Sequence, residues 1–370
     1  MSSQIDVAII GGGPAGAAAA IRLARAGREV ALFERTIGDP HKVCGEFLEA
    51  ATLDELQCLG IDTPALGATT IDTLAIIRGD RLVETALAEP AMSLSRQTLD
   101  RHLLDTAAGA GATIRRNIHV GGYETTGTGY IVHAGHQRLV ARHLLIATGK
   151  QDLKDARRDF DVKSDYIGFK LHLTISATSR ACIDGRVVLV AFRGGYAGLQ
   201  SIGMNHANLC FVVRRSLFDH GPASWDLILR TLQDEHPYLA DLLSGAEPLW
   251  PKPLAVGRIP YGYLRTVTDG PWWLGDQAAV IPSFAGAGIG MALRSARLAS
   301  VALLAQTPAQ SFQMSFADQM RPVVRRSVMV SRLILNPYGN SILTGVLTVL
   351  PGLLRGLARS CVLPRELNRA

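Results

Sequence analysis

The chain reads as an α/β protein with a parallel-sheet unit at its N-terminus, a β-rich middle and a helical C-terminus. Three observations carry this reading. A β-branched apolar run, Asp6 to Ile10, stops at Gly11-Gly12-Gly13, and an alanine-rich helical stretch from Ala17 to Ala26 follows. A second apolar run, Glu29 to Phe33, then ends on an acid, Glu34. Between about 165 and 265 the pattern changes to alternating, β-rich runs, and the residues after 305 are helical.

The first two observations together are strand, glycine turn, helix, strand, acid. Gly11 permits a tight turn, Gly13 lets the backbone approach a pyrophosphate, and Gly16 lets helix and strand pack. Pro14 and Ala15 open the helix, whose N-terminus offers unpaired N–H groups and a positive dipole end to phosphates. Glu34 sits where a carboxylate accepts both hydroxyls of a ribose, and it would repel a 2′-phosphate. The order of elements predicts a Rossmann-like dinucleotide-binding unit.

Composition narrows the partners. The chain has 370 residues, 48% of them hydrophobic and 19% charged, with net charge +6. This length suits two domains or one large composite one. Aromatics make up 6%, and no basic–aromatic interleaving points to nucleic acid. Arginines thicken towards the C-terminus, at Arg321, Arg325, Arg326, Arg332, Arg355, Arg359, Arg365 and Arg369. A membrane surface or an acidic partner suits such a tail. The five cysteines, Cys44, Cys58, Cys182, Cys210 and Cys361, form no CxxC pair, so neither a disulfide frame nor a metal site is expected. No secretory leader pattern precedes the first strand, and a cytoplasmic location is expected, with peripheral membrane contact as an option.

After Glu34 and Arg35 comes a polar loop to Lys42, then Val43-Cys44-Gly45-Glu46-Phe47-Leu48 and a helical pattern from Glu49 to Leu59. Cys44 is either a buried inert thiol or a site residue; its loop beside a glycine supports the second reading. Residues 61 to 95 read as short strands and turns. Ser95-Arg96-Gln97-Thr98-Leu99-Asp100 opens a helix with Leu99, Leu103, Leu104 and Ala107 on its buried face. Strands near 118–123, 130–134 and 137–140 suggest an antiparallel meander. His143 to Thr148-Gly149 reads as a core parallel strand that delivers its C-terminal end to the nucleotide.

In the middle, Gly194-Gly195-Tyr196 and Met204-Asn205-His206 supply hairpin turns, and Trp225 to Leu243 reads as one helix. Trp272-Trp273-Leu274 then leads to a Gly275-Asp276 corner. The glycine-rich Phe284 to Gly290 follows, and a helix runs from Met291 to Leu304. A second helix N-terminus is thus aimed at an electron-rich group. The apolar run Ile342 to Leu354, broken by Pro351, is too short to span a bilayer. It reads either as an interfacial or lid-forming helix pair or as a helix docked on the core.

Four ordered motifs, Gly11–Gly16 with Glu34, Ser95-Arg96-x-x-Leu99-Asp100, Ala147-Thr148-Gly149 and Gly275-Asp276, resemble the FAD-dependent group that includes geranylgeranyl reductases, flavin monooxygenases and flavin halogenases. The resemblance covers most of residues 5 to 305. It implies a FAD-binding domain of the glutathione-reductase-2 type, a β-sheet-based substrate domain and C-terminal helices. The expected division is 1–165 plus 265–305 for FAD binding, with 71–95 contributing to the substrate region, 166–264 for substrate, and 306–370 as a helical region. Val43-Cys44-Gly45-Glu46 is similar to the cysteine-glycine element of the geranylgeranyl-reductase branch, and Gly194 to Leu199 to its substrate-sheet turn. Relatives of this type beside polyketide-synthase genes act on lipid-like products.

By resemblance, Gly11, Gly13, Pro14, Ala15 and Gly16 hold the pyrophosphate, and Glu34 with Arg35 lies at the adenosine ribose. Arg96 approaches the phosphates, Thr148 and Gly149 border the cofactor, and Asp276 takes the pyrophosphate–ribityl part. Gly288, Ile289 and Gly290 face the pyrimidine edge of the flavin, and Cys44 its ring and the substrate. No histidine follows Gly275-Asp276, unlike in many monooxygenases, and the W-x-W-x-I-P halogenase motif is absent. Halogenation is therefore not expected.

The implied activity is FAD-dependent oxidoreduction of a lipophilic isoprenoid or polyketide-like substrate by hydride transfer at flavin N5, with Cys44 or Glu46 as proton donor. The alternative is hydroxylation by a flavin hydroperoxide, and a third option is a non-catalytic flavin-binding protein. No second G-x-G-x-x-G is present, so NADH, NADPH or a protein such as ferredoxin would donate electrons transiently, and a quinone is a further acceptor.

Overall fold

A computed structural model describes residues 4–154, 156–158, 165–192, 194–218, 224–336 and 351–365. The elements, in chain order, begin with β1 (Ile5–Ile10), α1 (Pro14–Arg25), β2 (Val30–Glu34), β3 (Phe47–Leu48) and α2 (Ala50–Cys58). Next are β4 (Thr69–Arg78), β5 (Arg81–Ser93), α3 (Arg96–Gly109), β6 (Thr113–Arg116), β7 (Val120–Thr126), β8 (Gly129–Ala134) and β9 (Gln137–Ile146). The middle holds β10 (Tyr166–Thr174), α4 (Ala177–Ile183), β11 (Arg186–Phe192), β12 (Gly195–Ser201), β13 (His206–Arg214), α5 (Trp225–Glu235) and α6 (Pro237–Leu242). Last come β14 (Glu247–Pro248), β15 (Leu254–Gly257), β16 (Trp272–Trp273), α7 (Gly288–Leu304), α8 (Ala309–Leu335) and α9 (Pro351–Cys361).

Two sheets organise the described residues. The first runs β6-β2-β1-β9-β8-β7, with β16 also on β9. β1 lies parallel to β2 and β9, and its inward residues Val7 and Ile9 are fully buried, which explains the continuous apolar run. The meander strand and the core parallel strand expected separately are one strand. β9 pairs antiparallel with β8 through Gln137 to Ala141 and parallel with β16 at Leu145 and Ile146. Its end therefore lies beside both β1 and the Trp-Trp strand, and it carries Thr148-Gly149 to the glycine turn.

The second sheet has nine strands in the order β14-β10-β13-β12-β11-β4-β5-β3, with β15 on β10. The stretch expected as short strands over 61–95 is a long hairpin, β4–β5, joined to this sheet through a parallel β4–β11 pair. One face packs on α5 and α6 through residues such as Phe211, Ile228 and Leu232. The helix expected over 225–243 is broken at His236, which adopts φ −135° before Pro237. The proline ring disfavours helical backbone in the preceding residue, so two helices form.

Helices α1 and α7 pack in one apolar cluster with α2, α3 and α8, and α8 carries Pro322 inside. Of the expected C-terminal run, residues 337–350 lie outside the described residues. α9 returns along the second sheet. Leu363 N donates to Glu49 at 3.2 Å, Arg294 donates to the Pro364 carbonyl at 2.6 Å, and Arg365 pairs with Asp54 and Glu89. Among the described residues, no helix is long and apolar enough to cross a membrane.

Candidate active site

The end of β1 turns through Gly11, whose φ of +105° is left-handed and which lies against the Ala147 carbonyl. No side chain fits there. Gly16 closes on the Gly11 carbonyl, so its missing side chain serves helix-to-turn packing. Gly13 is the N-cap of α1 with no side-chain cap, and beside it the nearest group to an added Cβ is Arg96 Nη2 at 3.9 Å. The first N–H groups of α1 thus open onto a cradle with a cation on its far side, a fit for a pyrophosphate.

This cradle is one end of a cavity of about 590 Å³, within the size range of small-molecule sites. Gly11, Gly13, Pro14, Ala15, Glu34 and Arg35 line it at that end. Glu34 Oε2 accepts from Gly12 N at 2.8 Å and Oε1 accepts from the Thr36 hydroxyl at 2.7 Å. Burial pushes the Glu34 carboxyl up, but the Thr36 and Gly12 bonds outweigh it and hold it below its ordinary value. Its free lone pairs face the cavity as an anion. Arg35 bonds Gln151 across the mouth. Arg96 forms a two-pronged pair with Asp100, both bonds at 2.8 Å, which fixes the guanidinium.

Thr148, Gly149 and Asp276 line the middle of the same cavity. Thr148 Oγ1 donates to the Gln151 carbonyl at 2.6 Å, and Gln277 Nε2 donates to the Gly149 carbonyl at 2.8 Å. Lys150 Nζ lies 3.1 Å from Asp276 Oδ2. The Asp276 charge outweighs burial and raises Lys150. Gly288 and Ile289 line the cavity at the N-terminus of α7. Gly288 to Gly290 form the first turn of that helix, not a loop before it. Gly290 does not line the cavity, and its open side faces α2 and the C-terminal segment. A Cβ there would lie 2.6 Å from Thr52 Oγ1 and 3.0 Å from Leu363 Cδ1. Its glycine is demanded by helix packing.

A second cavity, about 200 Å³, adjoins the first and is nearly all apolar. Leu74 and Leu189 of the second sheet, Val330 and Ile334 of α8, and Leu357 and Cys361 of α9 line it. Cys44 and Lys150 are among the nine residues that line both cavities, so the two share a wall that includes the cysteine. Burial pushes the Cys210 thiol, on the second cavity's wall, up to about 12.

The loop that presents Cys44 is pinned from three sides. Asn208 Nδ2 donates to the carbonyls of Cys44 and Gly45 at 3.1 and 2.8 Å. Glu46 takes φ +61°, and its carboxylate turns inward to Lys170 and to His172 Nε2, the latter at 2.8 Å. Arg96 N donates to the same carboxylate at 2.7 Å. Burial would raise Glu46, but the His172 bond and the Lys170 charge win and keep it ionised. Burial lowers His172, against the pull of the Glu46 carboxylate. Glu46 lines the larger cavity, and its bonds to Lys170, His172 and Arg96 N also make it an anchor for the Cys44 loop. Lys170 and His172 were legible as an i, i+2 polar pair on one face of an otherwise apolar strand, and Lys150 as a cation next to Thr148-Gly149.

Residues 4–151 match the FAD binding domain family. The chain is 27% identical over 314 residues to digeranylgeranylglycerophospholipid reductase 1 of Methanopyrus kandleri, covering 80% of this chain and 79% of that protein. Menaquinone reductase of Mycolicibacterium smegmatis is 27% identical over 325 residues, covering 81% and 76%. The chain carries an FAD binding domain and, over most of its length, is similar to these two reductases.

Solved structures with this fold include a flavin-dependent brominase, at TM-score 0.79 and 18% identity, covering 97% of this chain and 93% of that one. A flavoprotein/dehydrogenase from Cytophaga hutchinsonii gives TM-score 0.74 and 17% identity, covering 97% and 96%. FAD is the cofactor that the glycine cradle and Glu34 fit.

Proposed function

We propose that the enzyme transfers hydride between flavin N5 and a lipophilic substrate, isoprenoid or polyketide-like, lodged in the apolar cavity. The observation that carries this reading is the meeting of an apolar cavity with the FAD cavity at Cys44. Two relatives named as reductases, of a digeranylgeranyl glycerophospholipid and of menaquinone, support reduction as the direction.

The residues divide the work. Gly11, Gly13, Pro14 and Ala15 would hold the pyrophosphate, with Arg96 beside it. Glu34 would accept from the adenosine ribose, Asp276 from the ribityl chain, and Gly288 and Ile289 would meet the pyrimidine edge. When bound, FAD supplies a two-electron hydride donor or acceptor. Cys44, on the wall that both cavities share, is the thiol placed to pass a proton to a substrate carbon. The apolar walls exclude water and bind an alkyl or alkenyl chain by burial, worth about 25 cal/mol per Å². Glu46, Asn208 and Lys170 keep the cysteine loop in place.

NADH, NADPH or reduced ferredoxin would load the electrons, and peripheral membrane contact fits the outer face of α8. There Met329 and Leu333, exposed at 59% and 44%, stand near Arg325, Arg326 and Arg332. The test is anaerobic mixing of the holoenzyme with each donor in turn, followed by air. The reductase reading expects bleaching by one donor and slow, uncoupled reoxidation in air. Fast oxygen use coupled to a hydroxylated product would replace it with the oxygenase reading.

A further inference from the structure

We propose that Lys150 sets the electrostatics of the flavin's reacting end, its ammonium stabilising the negative charge that the cofactor gains on reduction. The inference goes beyond the proposed function and holds for any substrate.

Placement carries it. Lys150 follows the Thr148-Gly149 end of β9, and Asp276, on the turn before α7, fixes its ammonium at 3.1 Å. The Asp276 turn is itself held, since Arg158 Nη1 donates to the Asp276 carbonyl at 2.9 Å. Among the described residues lining the apolar cavity, Lys150 is the one with a cationic or anionic side chain. It also lines the FAD cavity. Cys44, Cys210 of β13 and Tyr261 lie within electrostatic reach of its ammonium. Of these, Cys44 lines both cavities, Cys210 the apolar one and Tyr261 the larger one. The other cations of the FAD cavity, Arg35, Lys42 and Arg96, line it alongside Glu34 and the glycine turn and are absent from the apolar cavity's wall.

The chemistry follows from charge. Oxidised flavin takes two electrons and one proton, which goes to N5, and so gains one net negative charge. Lys150 keeps its own proton throughout. A cation held in place beside the flavin stabilises that charge and raises the reduction potential.

The test uses FAD-loaded wild type, Lys150→Met, Lys150→Gln and Lys150→Arg. Dithionite supplies the electrons in a titration against a reference dye, and sulfite, which adds to flavin N5 more tightly when a cation is near, is titrated separately. Lys150→Met and Lys150→Gln should each shift the oxidised–reduced equilibrium at least tenfold towards oxidised flavin, about 30 mV for a two-electron couple. Sulfite affinity should fall at least tenfold in both. Lys150→Arg should stay near wild type, and all variants should hold one FAD per chain. If the neutral variants instead lose FAD while their bound fraction keeps the wild-type potential and sulfite affinity, Lys150 is a phosphate ligand and the proposal is wrong. Unchanged potential and sulfite affinity with full FAD content overturn it as well. Glutamine, which can still donate to Asp276, keeps the test decisive should methionine prevent folding.

Discussion

Lys170 and Glu46 form an ion pair with both side chains fully withdrawn from solvent. The pair spans from β10 of the second sheet to the loop that carries Cys44. It therefore ties the second sheet to the Cys44 loop of the FAD binding domain, at the point where chemistry is proposed.

Breaking that pair leaves a buried charge without its strongest partner, which costs about 3–5 kcal/mol. His172 and Arg96 N still serve Glu46, so Lys170→Met should lose about 3 kcal/mol, the lower end of that range. Chemical unfolding of the holoenzyme measures it. Turnover should fall as well, because the Cys44 loop loses its anchor. A variant as stable and active as wild type would remove Glu46 from the anchoring role.

Cys44→Ala tests the proton donor. Deleting a general acid typically costs about 10²–10⁴-fold in rate. The flavin should still be reduced by its electron donor at the wild-type rate. Loss should be confined to reoxidation by the lipid substrate, measured in single-turnover experiments.

Glu34→Ala removes a carboxylate that is already aligned by Gly12 and Thr36. Hydrogen bonds to charged groups contribute about 1.5–3 kcal/mol. FAD affinity should drop roughly 10- to 150-fold, since 1.4 kcal/mol is tenfold. Fluorescence of released flavin reports the change. The apoprotein should lose about 1.5–3 kcal/mol as well, because Gly12 N and Thr36 lose their charged acceptor.

Glu49 gives a pH prediction. Burial raises its carboxyl to about 8, and Oε1 has no hydrogen-bond partner. The unfolded group titrates near about 4.3. Between those values the folded chain binds the proton and the unfolded chain does not, so stability falls as pH rises from about 4.3 to about 8. Glu49→Gln mimics the protonated acid. It should match wild type near pH 5 and exceed it by more than about 1 kcal/mol at pH 8. The advantage should level off above that. Unfolding curves at several pH values measure it.

The local parts of this molecule were open to sequence reasoning. Strand β1, its glycine turn, α1 and Glu34 are encoded within about thirty consecutive residues, and their order alone implies the nucleotide cradle. Long-range partners were not. Cys44 stands out by its loop, but Lys170, His172 and Asn208 reach it only through the pairing of β10 with β13. Gly290 shows a different difficulty. A glycine at a helix start serves close approach to a ligand or to a neighbouring helix, and the string of residues is the same for both. The break at His236 was readable, because Pro237 excludes helical backbone before it.

The most direct measurement is reoxidation of the reduced holoenzyme under argon. The protein is photoreduced, mixed in a stopped-flow instrument with a prenylated quinone or a polyunsaturated prenyl lipid, and its flavin absorbance is followed. The account predicts that one of these restores the oxidised flavin spectrum stoichiometrically without oxygen, and that Cys44→Ala slows this step. A flavin that stays reduced with every lipophilic acceptor, yet reoxidises in air with incorporation of oxygen into a substrate, would contradict it.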